Sequence, residues 1–258
     1  MVVVSAALGA LARAEALAVL SQGPRANAAA NAVAAARANA AEGARGTAPI
    51  LSMEVEAVIN EALGYAGGYS AGHSPYAAQD LRQLNPGRWL DDTILDAHIQ
   101  LSVRHSRLKA HAVSVHFYTA LLVDGVEGVE AWTAGHGLSG RDLVLFPLNV
   151  NKNHWILVAA NVPQHTLTCF DSMRGNNSMH MEHISRYLQA ESGSSVPWTT
   201  LDPPHPPTQL GGHDCGVFVC ASAAQLLRGE PPSLQQGQVN RYRRVMALDL
   251  HSGWLGAA

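Results

Sequence analysis

Between about Leu81 and Trp254, apolar and polar positions follow the periods of packed helices and strands; residues 1–48 show no such pattern. Pro86 and Gly87 predict a turn before Trp89. Asp91 or Asp92 can then cap a helix that carries Leu95, Ile99 and Val103 on one face. Weaker helical stretches are predicted through His116 to Leu122 and from Asp124 towards Ala134. The period then changes. Leu143–Leu148, Trp155–Val162 and Thr166–Phe170 are short continuous apolar runs, as strands buried on both faces require. Pro163 and Gln164 separate the last two, which predicts a hairpin. Helical spacing returns at Ser178–Leu188, Cys215–Leu227 and Val239–His251. Helices gathered before and after a compact block of strands indicate an α+β fold rather than a regular βαβ repeat.

The N-terminal segment reads differently. Residues 1–48 are mostly Ala with Gly, Asn and Arg and lack the aromatics a packed core uses. A short helix is expected over Ser52–Leu63, opened by Ser52 and closed by Gly64, and Gly67 to Ser74 reads as a linker. The expected organisation is therefore a poorly ordered low-complexity extension over residues 1–80 and a folded domain over 81–258. Met1–Leu20 is apolar but broken by Arg13 and Glu15, and a membrane span needs about 20 apolar residues with few charges. It also lacks the basic start of a secretory signal. The acid-poor stretch to Ala41, with Arg13, Arg25 and Arg37, has some character of an organelle transit peptide, against which its low Ser content counts.

Composition narrows the function. In 258 residues, a 47% apolar share supplies a sizeable core, and 17 basic against 20 acidic residues give a net charge of −3. That balance offers no field to hold a polyanion, so neither nucleic acid nor a membrane is the expected partner. The three cysteines, Cys169, Cys215 and Cys220, make a poor disulfide framework and suit a reducing compartment. No CxxC pair, HExxH or Gly-rich phosphate loop occurs, so no metal and no cofactor are expected.

Among the cysteines, Cys215 stands apart. It follows Gly211-Gly212-His213-Asp214 and precedes Gly216 and the apolar run Val217–Leu227. The flanking glycines predict a tight turn with close backbone approach, and the apolar run predicts a buried helix with Cys215 in its first turn. Free N–H groups and the positive helix end favour thiolate there, whereas a free cysteine elsewhere ordinarily packs as a small hydrophobe. Cys220, mid-helix, and Cys169, within a strand, fit that packing role.

A nucleophilic thiolate needs a base, and the base needs an orienting group. Of 13 histidines, His154 stands at the start of one predicted strand, and Asp171 follows the end of the next. An antiparallel hairpin would set the two side by side. Gln209, six residues before Cys215, lies in the loop Pro206-Pro207-Thr208-Gln209, where its amide can donate to an oxyanion together with the Cys215 N–H.

Taken together, four segments in order resemble the Ulp/SENP family of ubiquitin-like-protein proteases. They are Arg88-Trp89-Leu90-Asp91-Asp92-Thr93-Ile94, Asn153-His154-Trp155, Phe170-Asp171-Ser172, and Gln209 to Gly216 with its Gln-x5-Cys-Gly spacing. His116-Phe117-Tyr118 and Arg241-Tyr242-Arg243-Arg244 are secondary landmarks. The resemblance implies a papain-like fold, a small mixed sheet flanked by helices, with the catalytic order His, Asp, Cys. It implies His154 as general base, Asp171 as its orienter, Cys215 as nucleophile and Gln209 as oxyanion donor.

It further implies that Trp89 and Trp155 roof a tunnel for a Gly-Gly tail, and that Asp92 meets a basic residue of a SUMO-type modifier. The implied activity is thiol-dependent cleavage after that tail, in precursor maturation or deconjugation, with the nucleus as the family's habitual compartment and the cytoplasm as the alternative. A NEDD-type substrate or an inactive module that only binds such tails are the rival readings. The sequence departs from the family pattern at His213, in Leu210-Gly211-Gly212, and in the short span from Asp171 to Cys215.

Overall fold

The apolar runs of the middle third do become strands: Leu143–Val150 and His154–Asn161 are buried along nearly their whole length, whereas in Thr166–Phe170 only Leu167 is buried and the other four are half-buried. The computed structural model describes residues 78–129, 132, 137–138, 140–203 and 205–252, together with 60 and 63. The helix expected over Ser52–Leu63 and the low-complexity extension therefore fall largely outside the described residues, as does the far end of the stretch reaching Ala134. The chain divides into two units, Met1–Tyr69 with Gly256–Ala258, and Ser70–Leu255. Every element below belongs to the second. Among the described residues, no helix is long and apolar enough to cross a membrane.

Five strands form one mixed sheet in the order β1-β2-β3-β4-β5. They are β1 (Ala110–Ala112), β2 (Leu143–Val150), β3 (His154–Asn161), β4 (Thr166–Phe170) and β5 (Thr199–Leu201). The middle three are antiparallel, with Val150 opposite His154 and Leu157 opposite Phe170. The short outer strands pair in parallel, β1 on β2 and β5 on β4. These two edges were not expected from the sequence. A three-residue strand carries too little periodicity to be read, and all of β5 is exposed.

The helices are α1 (Asp92–His105), α2 (Phe117–Gly128), α3 (Ser178–Ser192), α4 (Cys215–Leu227) and α5 (Val239–Ser252). Strand alternation sends Val144, Phe146, Leu148 and Val150 into a core shared with Phe117, Tyr118 and Leu121 of α2 and with Met181, Ile184, Tyr187 and Leu188 of α3. On the β2–β3 ribbon also rests α4, which packs in turn against α1 and α5. In α1, Leu95 and Ile99 are fully buried and Val103 is half-buried, as the four-residue spacing predicts. The two weak helices expected on either side of Leu122 are one element bent at Gly125, whose φ of 71° lies in the left-handed region.

Candidate active site

Two tight connections build the site. Between β2 and β3, Asn151 and Lys152 adopt left-handed backbone (φ 54° and 60°), which returns the chain within three residues and starts β3 on His154. After β4, the chain turns around Asp171. The Asp171 Oδ1 and the His154 Nε2 are 2.7 Å apart. The hairpin geometry inferred from the sequence thus brings these two side chains together.

Asp171 is held by more than the imidazole. Its Oδ1 accepts the Met173 N–H, and its Oδ2 accepts the Gly175 N–H and the Asn177 Nδ2, each at 2.8 Å. A Cβ on Gly175 would lie 3.1 Å from that oxygen, so the absent side chain is what allows the approach. Burial opposes the charge, yet the bonds from His154, Asn177 and the two backbone amides outweigh it and hold the carboxyl well below the ordinary range. For His154, burial pulls the pKa down. The Asp171 bond and then the neighbouring Cys215 thiol outweigh that, raising it to about 9. Its other ring nitrogen, Nδ1, is buried and is left for Cys215, whose side chain also bonds the imidazole.

Cys215 opens α4 and is 7% exposed. Of the glycines around it, only Gly216 is sterically required. A Cβ there would lie 3.0 Å from the Leu90 Cβ, whereas one on Gly212 would meet nothing within 4 Å. Neither Gly211 nor Gly212 has positive φ. The expected tight turn therefore has no glycine requirement at Gly211 or Gly212; Gly216, in the first turn of α4, is the one that must lack a side chain, which lets the Trp89–Leu90 segment close on the helix start. The Trp155 indole fastens the same segment by donating to the Leu90 carbonyl at 3.1 Å.

Gln209 is buried, and its amide is oriented by its neighbours. Ser172 Oγ donates to Oε1 at 2.7 Å, which directs Nε2 the other way, towards the Gly211 carbonyl that it also bonds. The Gln209 N–H donates to the Ser172 carbonyl at 3.0 Å, tying its loop to the residue after Asp171.

A cleft of about 390 Å³ reaches Cys215, lined by Trp89, Asp92, His116, Lys152 and Trp155 among others. Trp89 is 57% exposed and Trp155 is buried, so one indole stands free on the wall and the other is part of it. Asp91, not Asp92, caps α1, its Oδ1 accepting the Ile94 N–H at 3.1 Å. Asp92 is left at the cleft, 3.4 Å from the His116 Nε2.

The other two cysteines differ. Cys220 is fully buried and Cys169 half-buried, and burial raises both thiols, Cys169 to about 12. Sequence reasoning missed Ser172 in its bonding role, Asn177, Asp214, Gln236 and the buried Arg243. Arg243 had appeared only as part of a landmark.

A cysteine at a helix start, an imidazole against it and a carboxylate behind the imidazole can carry out thiol acyl transfer. The sequence profile described as "Ulp1 protease family, C-terminal catalytic domain" matches residues 88–253, and the chain belongs to that family. It is 30% identical to Sentrin-specific protease 2 of Rattus norvegicus over 78% of its own length and 37% of the relative's. It is 32% identical to the Mus musculus protein of the same name over 66% and 31%. The chain thus spans about a third of these curated relatives. The structure of the C-terminal Ulp1 protease domain in complex with Smt3, the yeast ortholog of SUMO, superposes with a TM-score of 0.69 at 24% identity. That match covers 80% of this chain and 97% of the other and establishes the α+β fold.

Proposed function

We propose that this chain is a thiol-dependent protease and isopeptidase that cleaves after the C-terminal Gly-Gly of a SUMO-type modifier. The observation that carries this reading is the 2.7 Å His154–Asp171 pair set against Cys215, where the Trp-walled cleft meets the start of α4.

In the proposed reaction, the modifier's extended tail lies between Trp89 and Trp155, where only glycine avoids a clash with the indoles. Asp92 meets a basic residue on the modifier's surface. With the proton already resting on His154, Cys215 stands as a thiolate, and its sulfur attacks the glycyl carbonyl. The Gln209 amide and the Cys215 N–H hold the oxyanion that develops. As the tetrahedral intermediate collapses, His154 gives its proton to the departing amine, and a thioester remains. Water, deprotonated by His154, then hydrolyses the thioester and releases the thiol and a free Gly-Gly carboxylate. Throughout, Asp171 keeps the imidazole oriented and stabilises its charged form. These steps use the chain's own residues and call on no metal or organic cofactor. The names of the related proteases, among them an Ulp1 domain held with Smt3, support a SUMO-type substrate.

A panel of SUMO, NEDD-type and ubiquitin probes with an electrophile in place of the terminal carboxylate tests the reading. The expected result is a covalent adduct with the SUMO probe, absent in Cys215→Ser. Preferential capture of the NEDD-type or ubiquitin probe would overturn the substrate assignment. Binding of SUMO without any adduct would favour a module that holds tails and does not cut them.

A further inference from the structure

Resting on the proposed function, we infer that Arg243 is a positioning residue for the nucleophile. It holds the Asp214 carboxylate off the start of α4, so that the first-turn N–H groups and their positive field serve the Cys215 sulfur and the oxyanion.

An aspartate at an N-cap ordinarily accepts from the N–H groups two or three residues on, as Asp91 does from Ile94 in α1. Asp214 occupies the N-cap of α4, yet its side chain makes no capping bond. Its Oδ1 instead accepts the Arg243 Nη2 and its Oδ2 the Gln236 Nε2, both at 2.9 Å. Burial raises the Asp214 pKa, and the bonds from Arg243 and Gln236 outweigh it, so this carboxylate is ionised. A negative charge therefore sits one residue from the sulfur and is turned away from it.

Arg243 is fully buried and can make this arrangement rigid. Its Nη2 also donates to the His213 carbonyl at 3.1 Å and to the Arg88 carbonyl at 2.7 Å. Its Nη1 donates to the carbonyls of Gln83 at 3.1 Å and Asn85 at 3.4 Å. One planar cation thus joins the residue before Trp89 to the two residues before Cys215. Gln236 extends the clamp, its Oε1 accepting the Leu210 N–H at 2.8 Å beside Gln209.

If Arg243 is lost, the freed carboxylate can swing to the Gly216 N–H, since the Val217 N–H is already taken by the Asp214 carbonyl at 2.9 Å. There it would oppose a thiolate and an oxyanion. Among the described residues, the other charged or titratable groups around the sulfur are His154 from β3 with Asp171 behind it, His213, 4.0 Å from Asp214 in the same turn, and Asp91, Asp92, His116 and Lys152 along the cleft. None of them lies between Arg243 and the carboxylate it pairs with.

The test is the rate of Cys215 alkylation by iodoacetamide from about pH 5 to pH 9, with the full chain and peptide mapping to separate Cys169 and Cys220. Arg243→Gln is expected to slow alkylation at about pH 6 roughly tenfold, the upper range of one charge at a helix terminus, and to move the profile to higher pH. Adding Asp214→Ser is expected to return the rate to within about threefold of wild type, since serine caps without a charge. A purely structural arginine would not be rescued this way.

Should Arg243→Gln fail to fold, Gln236→Ala with and without Asp214→Ser decides, with a roughly threefold slowing expected and then its relief. An unchanged profile in either folded single variant, or a double variant as slow as the single, overturns the inference. If the wild-type chain captures the SUMO probe while that occurs, the proposed function stands and only this inference falls. A wild-type chain that captures no probe and alkylates at Cys215 no faster than free cysteine overturns the reading beneath it.

Discussion

At the scale of single residues, the His154–Asp171 pair sets the pH behaviour. With its pKa raised to about 9, His154 keeps its proton through neutral pH and can donate it to a leaving amine. The alkaline limb of kcat/KM is therefore expected near pH 9 in the wild type. In Asp171→Asn the main cause of the raised value is gone, so that limb should move down and activity fall on the order of 10²- to 10⁴-fold. An unmoved limb in the pH–rate profile would separate Asp171 from the imidazole's titration. Stability follows the same logic with opposite signs for the two groups. The raised His154 pKa contributes stability that is complete below its unfolded value of about 6.5 and fades as pH rises through about 9. The depressed Asp171 contributes above its unfolded value of about 3.9 and fades as pH falls below it. Urea unfolding as a function of pH should show both slopes in the wild type and a flattened acid slope in Asp171→Asn.

Helix starts decide the next scale. The side chains of Asn177 at the start of α3 and Asp214 at the start of α4 do not cap their own helices. Asn177 donates to Asp171, and Asp214 pairs with Arg243. Asn177→Ala should therefore cost little helix stability and lower kcat roughly tenfold to a hundredfold, through loss of a hydrogen bond to a charged group worth about 1.5–3 kcal/mol. A thermal melt beside the kinetics separates the two effects. Gly216→Ala tests the contact between α4 and the segment before α1. The added Cβ meets Leu90 at 3.0 Å, and the Leu90 carbonyl is fixed by Trp155. A destabilisation of about 1–3 kcal/mol is expected in urea melts, relieved in part by Leu90→Ala.

This is also the scale at which the sequence could be read best. β4 was bounded correctly and β2 and β3 within two residues, because a continuous apolar run between turn residues has few other uses. The strands β1 and β5 left no such trace, since partners in the sheet, not local pattern, make them strands. His154 and Asp171 could be paired on paper because one hairpin carries both. Arg243 and Asp214 lie 29 residues apart, and Ser172 and Gln209 lie 37 apart, so only the folded chain shows what each does.

For the whole molecule, the site is a meeting of separate parts. The β2–β3–β4 ribbon brings His154, Trp155 and Asp171, α4 brings Cys215, and the segment before α1 brings Trp89. Arg243, from the last helix, holds the last two together. Because Trp89 is more than half exposed, Trp89→Ala should leave stability within about 0.5 kcal/mol of wild type. It should nonetheless lower kcat/KM for a Gly-Gly substrate roughly tenfold or more, as loss of an aromatic anchor does. Steady-state kinetics beside a denaturant melt would show whether the indole serves the substrate or the fold.

The central claim is that Cys215 cuts a modifier behind its second terminal glycine. Its most direct measurement is intact mass spectrometry of a SUMO conjugate after incubation with the full chain and with Cys215→Ser. The account predicts a released modifier ending in Gly-Gly and a free amine partner, neither formed by Cys215→Ser. Cleavage that persists in Cys215→Ser, or a modifier trimmed at any other residue, would contradict it.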